Sequence, residues 1–348
     1  MSDSHSLDDS LSTRLNRMLS YNLTQMIYVA ARLNIADLLA QGPRRVEVLA
    51  EQAGAHPPSL YRLLRALASQ GLFAEDDQGR FGLTPLAVLL RSDVEGSLHP
   101  FALSYGEPWW WNSWGRLLHS IQTGETAFDS VHGESLFEYL DTHREAAAIF
   151  DANMKAMTAQ ESGALVAAYD FSATRVLVDI GAGHGALATA ILQAYPQARA
   201  ILFDRPAVVE GARARLEAAG LASRCEFVGG SFFESIPGGG DTYILKDIIH
   251  DWDDERSVAI LRNCLNAMET SARLLIVERV IPGGNEPAEG KMIDISMLVM
   301  TGGRERTQAE YRTLLSAAGL KFARYIQTDA GPGIIEAEPI NQPGSHWR

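Results

Sequence analysis

The chain has 348 residues, 46% of them apolar, a formal net charge of −13 and two cysteines. That length predicts about two domains of ordinary size, and the apolar share is enough for a core. The acidic balance argues against a nucleic-acid footprint, Cys225 and Cys264 alone make no disulfide framework or cysteine-rich zinc site, and no apolar run approaches the ~20 residues that cross a bilayer.

Residues 1–10 read as a frayed polar tail, without the basic and apolar regions of a signal peptide, so the expected compartment is the cytoplasm. Across 11–39 apolar residues such as Leu15, Met18, Leu19, Leu23, Met26 and Ile27 recur at helical spacing. The stripe is wide enough for helices buried against another copy of the chain. Gly42-Pro43 ends the run. A short helix at 46–52, a turn at Gly54-Ala55-His56-Pro57, a helix at 60–70 and a hairpin at 72–75 and 80–83 then read as a winged helix. Arg62 and Arg65 on its second helix invite a DNA-binding reading, but Glu75, Asp76 and Asp77 fall where phosphates would lie. A packing or dimerisation module is the preferred reading.

Trp109, Trp110, Trp111 and Trp114 follow Pro108 and either line an aromatic pocket or cement a helical interface. A long helix is expected over 141–158, with Phe150, Met154 and Met157 in the core or walling a pocket. From Phe171 strands and helices alternate, the mark of a parallel sheet. Strands are expected at 175–180, 199–203, 225–228, 241–245, 273–277, 321–326 and 334–338, with helices at 185–195, 206–219, 254–270 and 307–319. Gly331-Pro332-Gly333 joins the last two as a hairpin, so one strand is expected to run reversed at an edge. The expected organisation is an α/β chain in three parts: a winged-helix domain at 1–105, a helical connector at 106–170 and a seven-stranded, mostly parallel Rossmann-like domain at 171–348.

The chemistry-bearing residues fall on strand tips. Val178-Asp179-Ile180-Gly181-Ala182-Gly183-His184-Gly185 is a strand ending in a glycine turn, which lets a backbone bend sharply and pass close to a ligand. The spacing G-x-G-x-G differs from the dinucleotide pattern and is a weak signal alone. Asp204, ending the next strand, accepts ribose hydroxyls or caps the helix begun by Pro206, two roles that can hold together. Gly230, Ser231 and Phe232 after the third strand suit a stacked adenine. His250, just past the fourth, is a general base or a packed, capping histidine. Glu278 and Glu305 are alternative partners for its imidazole. A helix over 292–300 carries Met292, Met297 and Met300 along a cavity.

With those motifs in order, the chain resembles the cation-independent O-methyltransferases that use S-adenosylmethionine (SAM), among them plant caffeate and hydroxyindole enzymes and bacterial enzymes of phenazines, anthracyclines and polyketides. The likeness covers nearly the whole chain, and Lys246 with His250-Asp251-Trp252 is its most specific element. It implies that His250 is the base, supported by Glu278 and Glu305. It further implies a SAM site at Gly181, Gly183, Asp204, Arg205, Gly230, Ser231, Phe232 and Lys246, with S-adenosylhomocysteine (SAH) as product and no metal. Acceptor contacts are expected from Trp111, Met154, Met157, Asp251, Met297 and Thr301, and a homodimer through the N-terminal domain. Two departures stand out. Ser231 replaces an acid common before the adenine-stacking residue, and Asp247 stands where a bulkier residue is frequent. The expected acceptor is a hydroxyl on a small aromatic. N-methylation or N-hydroxy O-methylation of a phenazine-like ring, a SAM-fold hydroxylase or decarboxylase, and a DNA-binding regulator are the alternatives.

Overall fold

The computed structural model describes residues 10–340 other than Glu95 and Ala330. The expected tail therefore lies, apart from Ser10, outside the described residues. Ser10 itself caps the first helix, Leu11–Met18, by accepting the Thr13 amide at 3.2 Å. No described helix is long and apolar enough to cross a membrane.

The described residues fall into two compact units, one running up to Trp111 and taking in Ala148–Ala156, the other holding Asn112–Ala147 and the residues from Met157 on. In the first unit, helices Val46–Ala53 and Pro57–Ser69 are separated by Gly54 at φ 64°. They lead into an antiparallel sheet of β1 (Arg44–Arg45), β2 (Phe73–Glu75) and β3 (Arg80–Leu83) in the order β1-β3-β2. This is the winged helix read from the sequence. Leu49, Leu64, Leu67 and Phe81 are fully buried in its core. At the wing tip Asp76 is occupied by its own turn, accepting the Gln78 and Arg80 amides at 2.9 and 3.0 Å and pairing with the Arg80 guanidinium at 2.8 Å.

The second unit is built on β4 (Val176–Ile180), β5 (Arg199–Asp204), β6 (Cys225–Gly229), β7 (Thr242–Lys246), β8 (Arg273–Glu278), β9 (Leu320–Ile326) and β10 (Gly333–Pro339). The order is β6-β5-β4-β7-β8-β10-β9. Because successive side chains of a strand face opposite ways, Val178, Ile180, Tyr243, Leu245 and Ile276 feed one core while Leu177, Ile244, Leu275 and Val277 feed the other. β10 alone runs against the direction of the other six strands, and it lies between β8 and β9 rather than at the edge. Sequence explains the difference: Ile334, Ile335 and Ala337 are fully buried, while β9 carries Lys321 and Arg324 to solvent as an edge strand can.

The expected long helix divides in two. Leu136–Thr142 ends at His143, whose ring stacks on Tyr139 at 3.7 Å, and a second helix runs over Arg144–Ala168, ten residues past the expected end at 158.

Candidate active site

The crossover that reverses strand order between β4 and β7 brings the tips of β4, β5, β7 and β8 to one rim, where open α/β sheets bind ligands. At the β4 tip Gly181 has φ 72°, and a Cβ there would lie 2.3 Å from Ile248 Cδ1. Gly183 faces open space instead. Its amide donates to Asp204 Oδ2 at 2.8 Å, and the Arg205 amide donates to Asp204 Oδ1 at 2.7 Å. Asp204 thus reaches across to the glycine loop; the helix Pro206–Ala218 has Arg205 as its N-cap with no side-chain cap, so the capping role is set aside. The Arg205 side chain pairs with Asp141 at 2.5 Å.

Burial pushes the Asp204 carboxyl up against the opposing pull of those amides. Burial and the charge of Asp204 push Asp179 up to about 7, and Asp179 Oδ2 has no hydrogen-bond partner. After β6, Gly230 donates its amide to the Asp204 carbonyl at 3.0 Å and Ser231 Oγ accepts the Phe233 amide at 3.3 Å. Phe232 and Phe233 lean on Trp252 at 6.1 and 4.8 Å between ring centres, and Trp252 stacks on Phe137 at 5.8 Å. Asn263 Nδ2 donates to both phenylalanine carbonyls, at 2.9 and 3.0 Å, fixing this loop.

Lys246, at the β7 tip, is nine-tenths buried, and its ammonium meets Glu161 at 2.7 Å, Thr158 Oγ1 at 3.4 Å and the Asp247 carboxylate. Arg279 holds the other Glu161 oxygen at 2.6 Å. Burial alone would lower the lysine, but Asp247 and Glu161 outweigh it and hold it above its ordinary value. The ammonium of Lys246, a residue expected among the cofactor contacts, is a member of this internal ion cluster. Asp247 follows at φ 52°, a left-handed conformation that costs a non-glycine residue roughly 1–2 kcal/mol. That turn gathers three amides, of Ile248, Ile249 and His250, onto Glu278 Oε1 at 3.1, 2.8 and 3.3 Å.

His250 sits on this short turn with its imidazole buried. Nδ1 lies 2.8 Å from Glu305 Oε1 and 3.4 Å from Glu278 Oε2. Nδ1 donates to the Glu305 carboxylate, its partner at hydrogen-bond distance. Nε2 lies 3.9 Å from Asp251 Oδ1, beyond hydrogen-bond reach. Burial would depress the imidazole, but Glu278 and Glu305 outweigh it and hold it well above its ordinary value. Burial also pushes Glu278 up to about 8 and Asp251 up to about 6.

Asp247, His250 and Glu278 bring one metal-ligand type of atom each within 4.8 Å of one another. All three are already engaged: Asp247 by Lys246, Nδ1 by Glu305, and Glu278 by the three amides. The imidazole is thus held at Nδ1 and makes no hydrogen bond at Nε2 among the described residues.

Of the acceptor candidates, Trp111 and Met154 belong to the first unit and Met157, Asp251, Met297 and Thr301 to the second. Trp111 is half-buried against Tyr21, with ring centres 6.3 Å apart. Thr301 Oγ1 donates to the Met297 carbonyl and accepts the Gly303 amide, both at 3.2 Å, so its hydroxyl ends the helix Glu289–Met300. Sequence reasoning missed Glu161, Asn263, Arg279 and Arg306. Glu161 lay past the expected end of its helix, and nothing in residue type distinguished buried Arg306 from exposed Arg304.

A sequence profile described as an O-methyltransferase domain matches residues 114–321, and one described as an O-methyltransferase dimerisation domain matches 15–93. The chain belongs to the O-methyltransferase family. This methyltransferase is 49% identical over 331 residues to the phenazine O-methyltransferase PhzM of Lysobacter antibioticus, covering 95% of this chain and 97% of that one. It is 33% identical over 305 residues to the phenazine-1-carboxylate N-methyltransferase of Pseudomonas aeruginosa, covering 87% and 90%. The crystal structure of an O-methyltransferase from neocarzinostatin biosynthesis, in complex with SAM and 2-hydroxy-5-methyl naphthoic acid, superposes with a TM-score of 0.82 at 33% identity, over 94% of this chain and 98% of that one.

Proposed function

We propose that this methyltransferase moves a methyl group from SAM to a hydroxyl of a small, flat aromatic metabolite, with His250 as general base. The reading rests above all on His250: Nδ1 is fixed by Glu305 at 2.8 Å while Nε2 makes no hydrogen bond. The rim fits SAM. Gly183 leaves space for the cofactor, the carboxylate of Asp204 stands beside it for ribose hydroxyls, and the unpartnered Asp179 oxygen adds an acceptor for a cationic, donor-rich ligand. Gly181, Gly183, Asp204, Gly230, Ser231 and Phe232 would hold it. When bound, SAM supplies a methyl group made electrophilic by a sulfonium.

The protein's own part is to hold an acceptor oxygen in line and take its proton at Nε2. Glu305 then stabilises the imidazolium through Nδ1. Glu278 builds the turn on which the ring stands. A ring nitrogen such as the one methylated by the Pseudomonas relative carries no proton to lose, so an imidazole braced to receive one favours a hydroxyl acceptor. The L. antibioticus and neocarzinostatin relatives, by their names, support a phenazine- or naphthoate-like class. A homodimer through the first unit is part of this reading: Leu11, Leu15, Met18, Leu19 and Tyr21 are 57–83% exposed, and sedimentation reads the result. Incubation with isotopically labelled SAM and hydroxyphenazines, hydroxynaphthoates and phenazine-1-carboxylate, followed by mass spectrometry, identifies the acceptor. On the best of them His250→Ala is expected to lose about 10²–10⁴-fold in turnover with SAH affinity retained. Turnover equal to the parent would remove His250 as base.

A further inference from the structure

The base is only as well placed as the turn that carries it. Glu278 holds the amide side of that turn; its carbonyl side is held by the segment 303–306. Gly303 passes so close that a Cβ would lie 1.9 Å from the His250 carbonyl oxygen, and the Arg304 amide donates to that same oxygen at 2.8 Å. Arg306 is 1% exposed, a full guanidinium taken out of water. Its Nη1 donates to the carbonyls of Ile249 at 3.1 Å and Arg304 at 3.3 Å. Its Nη2 donates to the Trp252 carbonyl at 2.9 Å, Ser257 Oγ at 3.3 Å and Asp254 Oδ1 at 2.7 Å, and Nε donates to Asp254 Oδ1 at 3.0 Å. Its own backbone is pinned in turn, since the Ile281 amide donates to the Arg306 carbonyl at 3.1 Å.

The carbonyls of Ile249 and Trp252 bracket His250 and Asp251, so one planar fork spans both ends of the catalytic turn. A lysine offers three donors around a point charge and cannot reach all these acceptors at once. Burying a guanidinium is expensive, and one exposed aspartate does not offset it by charge alone. The carbonyl fork supplies the remaining partners.

We infer that Arg306 is the positioning residue for His250, setting the imidazole against Glu305 on one side and the acceptor on the other. This rests on His250 being the base. Arg306→Lys is expected to lower kcat about 10–100-fold, as a displacement of the order of 1 Å does, with acceptor KM and SAH affinity close to the parent. The ascending limb of its kcat–pH profile should move to lower pH, because a displaced imidazole loses the Glu305 bond that holds its proton. The deciding measurement is a double-mutant cycle with His250→Ala. If Arg306 acts through His250, Arg306→Lys costs less than about threefold once the imidazole is gone. Additive losses overturn the inference and leave the base assignment standing. Parental turnover in His250→Ala brings down both. Should Arg306→Lys fail to fold, Asp254→Asn replaces it, since it loosens the fork from the solvent side. An expected loss of about three- to tenfold, again absent in the His250→Ala background, supports the inference, and an unchanged kcat refutes it.

Discussion

Glu305→Gln separates the two glutamates around His250, the proposed base. Glu278 spends one oxygen on three backbone amides, so its first task is to build the turn. Glu305 makes its contact through the 2.8 Å bond to Nδ1, inside a site where the imidazole is 6% exposed. A glutamine keeps the acceptor and removes the charge. A hydrogen bond to a charged group contributes about 1.5–3 kcal/mol and a neutral one about 1 kcal/mol, so an imidazolium formed in the proposed transfer loses roughly 0.5–2 kcal/mol. At 1.36 kcal/mol per tenfold, turnover on the plateau falls roughly 2–30-fold. The Glu278 oxygen 3.4 Å away still supplies charge and favours the lower end. Because the carboxylate holds the His250 proton in place, its removal also shifts the ascending limb of kcat to lower pH. Single-turnover transfer of a labelled methyl group, measured across that limb with SAH affinity as control, reads both effects. An unmoved limb with parental turnover would refute the orienting role, and a loss beyond about 10³-fold would show that Glu305 does more than the bond explains.

Two further outcomes follow from the same geometry. Asp204→Asn should weaken SAH binding about 10–100-fold by calorimetry, from loss of a charge-assisted acceptor, while its amide-held loop stays folded; unchanged affinity contradicts the ribose assignment. The ligand-free protein should lose thermal stability as pH rises from 6 to 8, where Asp251, Asp179 and Glu278, pushed up to about 6, 7 and 8, are forced to ionise in place. The sign is that of raised values: each group favours the fold below its unfolded pKa and that stability is lost as pH climbs through the folded one, His250 included. A flat or rising midpoint over that window would contradict the burial that raises them.

Most of the frame was legible because it depends on local pattern. Strand tips announce themselves through β-branched runs stopped by glycine or acid, which place His250 and Glu278 just past the fourth and fifth strands; Glu305, the second candidate partner, comes instead from the Gly302-Gly303 segment that no strand carries. What escaped depends on packing between distant segments. The position of β10 inside the sheet follows from how deeply Ile334 and Ile335 are buried, which a turn at Gly331-Pro332-Gly333 does not reveal. Nothing in the sequence ties Lys246 to Glu161, 85 positions earlier, yet their side chains meet at 2.7 Å. Arg306 carries the same letter as Arg304, yet one is enclosed by carbonyls and the other is 44% exposed beside Glu310.

The place of β10 also bears on how the molecule is made. A chain emerging from the ribosome completes β8 and β9 before Gly333 exists, and those strands have no partner in each other until β10 slots between them. β8 carries Glu278 at its tip, so one wall of the turn under His250 stands on a strand paired on its β7 side alone until β10 is made. A nascent or prematurely stopped protein therefore displays β8 as an apolar ribbon, with Leu274, Leu275, Ile276 and Val277 unsatisfied along one side, the kind of surface that chaperones and proteases recognise. Through β8 and Glu278, the pairing of β10 thus braces the turn on which His250 stands.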